Sequence, residues 1–201
     1  MQAREKPYAP SCDENKAPIL DVIRPLFETA RHLLEIGSGT GQHAVCFAAA
    51  MPHLTWQTSE VTENLPGIHA WLDEANLPNL IAPIALDVTR NWPDGPFDAV
   101  FSANTSHIMP IEAVEAMFQG VGRVLTPGGP FALYGPFNRN GTFTSDSNRR
   151  FDGWLKTQNP RMGVRDLADL QTMARNAGLS LVAEHPMPAN NLTLIWQRDP
   201  V

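Results

Sequence analysis

Leu33-Leu-Glu-Ile-Gly-Ser-Gly-Thr-Gly-Gln42 runs a short apolar strand straight into three alternating glycines, and a helical pattern follows from Gln42 to Met51. Glycines at a strand-to-helix turn accept positive φ and let a ligand approach bare backbone. The residues around them decide which ligand. A dinucleotide fingerprint, G-x-G-x-x-G, needs glycine at position 42, which is Gln42. A phosphate-cradling P-loop needs Gly-Lys-Ser/Thr, and that is absent. Instead an acidic residue, Glu35, stands two positions before Gly37, with Gly39 and Gly41 following. A carboxylate there offers nothing to a phosphate, whereas a ligand carrying an ammonium group gains from it.

Outward from this turn, short apolar runs alternate with amphipathic stretches. Ile19, Leu20, Ile23, Leu26, Phe27 and Ala30 fall at helical spacing, with Pro18 suited to the first turn and Pro25 to a kink. Strands are expected at His32–Ile36, Leu54–Val61, Ile81–Val88, Phe97–Ala103 and Phe131–Tyr134, and helices at Pro66 to about Ala75 and Ile111–Leu125. The segment 136–163 is polar, with little periodicity. Leu167, Leu170, Met173, Ala174 and Ala177 mark a helix ended by Gly178, and Leu179–Glu184 and Leu192–Gln197 read as two more strands. Strand–helix alternation implies parallel strands with right-handed crossovers and helices on both faces. The last two strands are joined too briefly for a crossover, so they should pair antiparallel. The expected fold is a single-domain, three-layer, Rossmann-like α/β structure. Its sheet is mostly parallel and seven-stranded, with one antiparallel strand near the edge. Residues 1–201 form that one domain, with 1–31 an N-terminal cap and helix and 136–163 an insert.

The chain has 201 residues, 43% hydrophobic and 18% charged, enough to bury a real core. Fifteen basic against twenty-one acidic residues give a net charge of −6, which argues against a nucleic-acid binder or an anionic-membrane binder. No apolar run approaches the roughly 18 residues of a membrane span. The first seven residues, Met1 to Pro7, lack the apolar stretch of a secretory signal. Cys12 and Cys46 have no metal-site spacing, and His32, His53 and His185 have no ligand-like partners, so no metal is expected. A reducing, cytoplasmic location fits these features. The 18 prolines are scattered as punctuation between elements.

Glu35-x-Gly-x-Gly-x-Gly resembles the first motif of class I S-adenosylmethionine (SAM) dependent methyltransferases. The rest of the chain supplies their other motifs in order. Glu60, nineteen positions beyond Gly41, stands where that family places the acid that accepts bonds from both ribose hydroxyls. Asp87, with Val88 beside it, stands where an adenine contact is expected. Phe97-Asp-Ala-Val-Phe-Ser-Ala resembles the fourth motif, and Leu125-Thr-Pro-Gly-Gly the turn before the fifth strand. A narrower resemblance covers nearly the whole chain. It is carried by Asn15-Lys-x-Pro-Ile-Leu, Asn104-x-x-His107-Ile, Tyr134-Gly-Pro-Phe, Thr142-Phe-Thr-Ser-x-Ser-Asn148, Phe151-Asp, Gly163-Val-Arg-Asp166 and Met187-Pro-Ala-Asn-Asn-Leu192. These are similar to the domain-of-unknown-function 938 group, which includes the methyltransferase-like protein 26 proteins. Thr105 and Ser106 depart from that pattern where apolar residues are expected, and Glu14 where an arginine is expected. The resemblance implies SAM as cofactor and methyl transfer as activity, without a substrate.

Methyl transfer from a sulfonium needs alignment and exclusion of water more than a general base. In open α/β sheets the ligand lies beyond the carboxyl ends of the strands, so residues after the fourth and fifth strands are the candidates. His107 is read either as a base or orienting group, or as a structural histidine. Tyr134 either faces the methyl group or packs in the core with a bonded hydroxyl. Asn104 is assigned to the cofactor pocket, and His43 to scaffold or cofactor surroundings. Asn190 and Asn191 read locally as a tight turn, and the family resemblance adds a substrate-side role for them. The family resemblance places the insert, 136–163, over the substrate side, and the insert is basic. From Pro136 to Arg165 it has six basic and two acidic residues, a net of +4, which leaves −10 on the remainder. Its charge suggests a lid over a small polar or anionic substrate, with Asn138, Arg149 and Arg150 on the substrate side; a solvated surface loop is the other reading. Phe151 and Trp154 are the candidate interface residues for a homodimer. The competing functions are a non-catalytic SAM-binding protein acting through a partner, and an NAD-dependent oxidoreductase, which Gln42 and Glu35 disfavour.

Overall fold

Seven strands lie in the order β3-β2-β1-β4-β5-β9-β8 in a computed structural model that describes residues 6–200. The reading of the first residues as free of a secretory signal falls partly on residues 1–5, outside those described. The strands of the sheet are β1 (His32–Glu35), β2 (Thr55–Glu60), β3 (Leu80–Ala85), β4 (Ala99–Ala103), β5 (Pro130–Gly135), β8 (Leu179–Met187) and β9 (Asn191–Arg198). β1 to β5 pair parallel, and β9 runs antiparallel to both β5 and β8. That is the expected architecture, with the reversed strand one place in from the edge.

Alternate residues along the central strands feed opposite faces. Leu34, Val100 and Leu133 point toward α4 (Ile111–Val124) and α6 (Leu167–Asn176), where Phe118, Phe131 and Trp196 fill the layer. Leu33, Phe101 and Trp56 point toward α1 (Pro10–Leu26) and α2 (Gln42–Ala50), around Phe47. The Phe47 and Phe101 rings meet edge to face at 5.5 Å, and Trp56 lies 5.8 Å from each. Each such buried ring contributes roughly 1.5–3 kcal/mol. α3 (Leu65–Ala75) covers the β2–β3 end, with Pro66 in its first turn. Among the described residues, no helix is long and apolar enough to cross a membrane.

Two elements differ from expectation. α1 begins at Pro10, not near Pro18, and carries Pro18 and Pro25 inside it. An internal proline removes one backbone bond. Burial of Ile19, Ile23 and Phe27 against the sheet outweighs that loss. The second difference is in the insert, where the polar segment contains α5 (Asp146–Gln158). Its buried residues are Asn148, Asp152 and Leu155. They recur at helical spacing, but two of the three are polar, so a hydrophobic period does not reveal them. Ser145 caps this helix by accepting the Asn148 N–H at 3.1 Å. A two-residue parallel pair, β6 (Phe137–Asn138) with β7 (Arg165–Asp166), fastens the two ends of the insert together.

Candidate functional site

The carboxyl ends of β1 to β5 open onto one edge of the sheet, and the glycine turn sits at their centre. Gly37 has φ +70°, and a Cβ there would come within 2.4 Å of the Thr105 methyl group, so only glycine fits. Gly39 has φ +57° and open space where its Cβ would be. Glu35 is buried behind the turn. Its Oε2 accepts from the Trp56 indole N–H and from the Ser38 hydroxyl, each at 2.9 Å. Burial pushes its pKa up to about 7, against the pull of those two donors, and the Glu60 charge adds to the rise.

Glu60 ends β2 and reaches the turn: its Oε2 accepts the Gly39 N–H at 2.9 Å, and its Oε1 accepts the Val61 N–H at 2.8 Å. Asp87 follows β3. Its Oδ1 accepts from the Thr89 hydroxyl at 2.6 Å and the Thr89 N–H at 2.9 Å, which holds its carboxyl below the usual range. It borders a small cavity of about 170 Å³ with Leu86 and Asn91. Val88, beside it, packs against the core while its carbonyl accepts the Trp92 indole N–H at 2.8 Å.

A wider cavity of about 790 Å³ lies between the turn and residues 6–8, bordered by Gly39, Thr40, Glu63 and Asn64. The segment before α1 forms a strap across it. The Trp71 indole donates to the Pro7 carbonyl at 2.6 Å, and the Ala9 N–H donates to Gln42 Oε1 at 2.7 Å. Lys6 sits 3.6 Å from the Trp71 ring centre and pairs with Glu74 at 2.7 Å.

A second cavity, about 560 Å³, lies beyond β4 and β5. Asn104, His107 and Tyr134 form its floor. Asn104 holds a left-handed φ of 58°, and its N–H donates to the Tyr134 carbonyl at 2.9 Å, joining the two strand ends. Asn191, from the β8–β9 hairpin, donates Nδ2 to the Tyr134 hydroxyl at 3.0 Å. Burial, and then the Arg165 charge, push the His107 pKa down to about 4. His107 Nδ1 has no partner among the described residues, and its ring meets Phe151 edge to face at 5.1 Å. Arg165 fixes this loop: its Nε donates to the Ser106 carbonyl at 3.0 Å, and its Nη2 to the carbonyls of Met109 and Arg161. The Gly163 N–H donates to the His107 carbonyl at 2.9 Å.

The structure therefore brings Glu35, Gly37, Gly39, Gly41 and Glu60 together at the turn, and Asn104, His107, Tyr134 and Asn191 at the second cavity. Asn190 has φ 59° and sits in the hairpin turn, its side chain donating to the Ser147 hydroxyl at 3.0 Å. Three of the residues read as substrate-side lie elsewhere. Asn138 is in β6 and donates to the Val164 carbonyl at 3.2 Å. Arg149 and Arg150 are exposed on α5, with Arg149 set toward Asp146 and the Phe143 ring. Once the segment is helical, its charged face turns to solvent and its Ser147-Asn148-Phe151 face meets the cavity. Residues 8–16, read from the sequence as a segment able to close over the cofactor, include Ser11, Glu14 and Asn15 of α1, which that reading does not single out for the site and which form the opposite wall of this cavity. The motifs containing Asn15 and Asn148 were the available signal. His43 lies just behind this wall, its Nε2 bonded to Asn15 Oδ1 at 2.6 Å; burial pushes its pKa down to about 4.

A family model described as "Protein of unknown function (DUF938)" matches residues 6–198. Among solved structures, the S-adenosylmethionine-dependent methyltransferase SibL, in its apo form, is similar with a TM-score of 0.79 at 20% identity, over 94% of this chain and 56% of that one. An O-methyltransferase family protein from Burkholderia thailandensis gives a TM-score of 0.82 at 17% identity, over 92% and 56%. An O-methyltransferase family 2 protein from Planctomyces limnophilus, in complex with apigenin, gives 0.79 at 15%, over 93% and 59%. The chain spans somewhat more than half the length of these proteins. The likeness is one of fold, the Rossmann-like fold of methyltransferases.

Proposed function

This chain belongs to the DUF938 family, and from that premise we propose that it is a SAM-dependent methyltransferase acting on a small polar substrate. The observation that carries the reading is the Glu60 carboxylate bonded to the Gly39 N–H, with Glu35 buried behind the same turn.

The donor set fits SAM better than a dinucleotide. Carboxylates stand at or just beyond the ends of β1, β2 and β3, around bare glycine backbone. Lys6 is the only cation lining the wider cavity among the described residues, and Glu74 already engages it. A pyrophosphate would be poorly served there, while a ligand with an ammonium group and a ribose diol is matched. In this reading Glu35 and Gly37 to Gly41 hold the amino-acid end, Glu60 the ribose, and Asp87 and Val88 the adenine, with Asn104 at the boundary with the second cavity. Bound there, SAM supplies an activated methyl group.

The chain's own residues supply position. The insert, 136–163, contributes one wall of the second cavity through α5. Tyr134, fixed by Asn191, and His107, fixed through its loop by Arg165, present a hydroxyl and a neutral imidazole to the substrate. At pH 7 that imidazole acts as a hydrogen-bonding group that orients the substrate, since its lowered pKa makes it a weak store for a proton.

Calorimetric titration with SAM, S-adenosylhomocysteine and NAD tests the cofactor; preference for NAD overturns the proposal. Incubation with labelled SAM and a metabolite extract tests catalysis. Label transferred above a Glu35→Ala, Glu60→Ala control supports the enzyme. Binding without transfer supports a SAM-binding protein that works through a partner.

A further inference from the structure

We infer that the second cavity selects a small molecule that donates hydrogen bonds through cationic nitrogen, such as an amine, amidine or guanidine, with a flat apolar portion, and that it rejects anions. This rests on the methyltransferase reading only in calling that molecule the acceptor substrate.

Unspent hydrogen-bond acceptors line this cavity. Asn148 donates both amide hydrogens inside the protein, to Thr144 Oγ1 and to the Asn190 carbonyl, each at 3.1 Å. Asn191 does the same, to the Tyr134 hydroxyl at 3.0 Å and the Pro188 carbonyl at 3.2 Å. Backbone carbonyls can only accept, so both amide orientations are fixed, and each Asn is left with an unspent Oδ1 acceptor. Glu14, exposed at the cavity wall, adds a carboxylate with no partner among the described residues. A cavity lined by acceptors leaves them unmatched unless its ligand brings donors.

Free cations are missing from the lining. No lysine or arginine borders the cavity among the described residues. The Arg165 guanidinium, beneath the His107 loop, is spent on backbone carbonyls, and Arg139 is paired with Glu184. The donors in the lining, the hydroxyls of Ser11, Tyr134 and Ser147, the amides of Asn15 and Asn104 and the neutral His107 ring, are all uncharged and suit one oxygen of a neutral group better than a full anion. Phe151 and Pro136 add flat apolar surface to the same lining.

The test is calorimetry on the whole protein, with and without S-adenosylhomocysteine, using amines against carboxylates of the same skeleton: tyramine and hydroxyphenylacetate, tryptamine and indoleacetate, histamine and imidazoleacetate. The amine of at least one pair should bind about tenfold tighter than its acid. Glu14→Gln should remove most of that preference, and Glu14→Arg should invert it. Because Glu14 is exposed, neither change threatens folding. Tighter binding of the acids, no preference in any pair, or no binding at all overturns the inference. Amine preference in a protein that does not bind S-adenosylhomocysteine would leave the cavity's selectivity standing and remove the methyltransferase reading instead.

Discussion

Trp56 donates its indole N–H to Glu35 at 2.9 Å, so the carboxylate at the head of the glycine turn is aimed from the neighbouring strand. The bond crosses from β2 to β1 within the face covered by α1 and α2. It holds a buried carboxyl whose pKa burial has pushed up to about 7.

The pH dependence of cofactor binding follows. A ligand ammonium needs Glu35 ionised, and a pKa of about 7 leaves it mostly protonated at pH 6 and mostly ionised at pH 8. S-adenosylhomocysteine affinity should therefore rise roughly tenfold across that interval. The stability of the free protein goes the other way. Glu35's raised pKa contributes stability that is full below the ordinary carboxyl range and is lost as pH rises through about 7. Glu35→Gln should flatten both trends, read by calorimetric titration and by thermal melting.

Glu60→Ala should weaken S-adenosylhomocysteine binding by about ten- to a hundredfold, roughly 1.5–3 kcal/mol. The side chain is only partly buried, so the melting temperature should shift little. A large fall in stability with unchanged affinity would place Glu60 in the scaffold alone.

His107 and His43 are buried as neutral rings with pKa values near 4. Folded values below the ordinary 6.5 mean stability that is complete above that pH and is lost as pH falls toward 4. Arg165→Gln should raise the His107 value, visible in an NMR titration of its ring. It should also cost about 2–3 kcal/mol from the lost charged hydrogen bonds to the Ser106 and Met109 carbonyls.

Trp71→Phe keeps the ring beneath Lys6 and deletes the donor to Pro7. With the strap loosened, S-adenosylhomocysteine should dissociate several-fold faster by stopped-flow fluorescence, at nearly constant melting temperature. Unchanged dissociation would mean that the strap does not cover the ligand.

The glycine turn and Glu35 could be read from the sequence, because a carboxylate between an apolar strand and three glycines is conspicuous. Glu60, among the polar Thr58, Ser59 and Thr62, and Asp87 were placed by the family resemblance and their order along the chain. The cavity beyond β4 and β5 was only half legible. Asn104, His107, Tyr134 and Asn191 could be placed by their order along the chain. Asn148 and Glu14 could not, since both depend on helices whose limits were hidden. α5 buries Asn148 and Asp152, and Asp152 spends its Oδ1 on the Val164 N–H and its Oδ2 on Lys156, so its inward face reads as surface. α1 starts eight residues before the proline that looked like its first turn. The exposed Arg149 and Arg150 drew the eye because charge is visible in a sequence and the facing of a helix is not.

β9 brings a folding consequence with it. Its residues pair with β5 across about sixty positions of chain, Phe131 with Trp196 and Tyr134 with Thr193. Contacts so distant in sequence close late, because the entropy of the intervening loop must be overcome before they form. Asn191, which sets the Tyr134 hydroxyl, arrives with that strand. The glycine turn rests on β1, β2 and the post-β4 loop, which also meet across long stretches of chain, but it makes no use of β9. Slippage of the β8–β9 hairpin would therefore abolish recognition of the partner molecule while sparing the hold on a nucleoside.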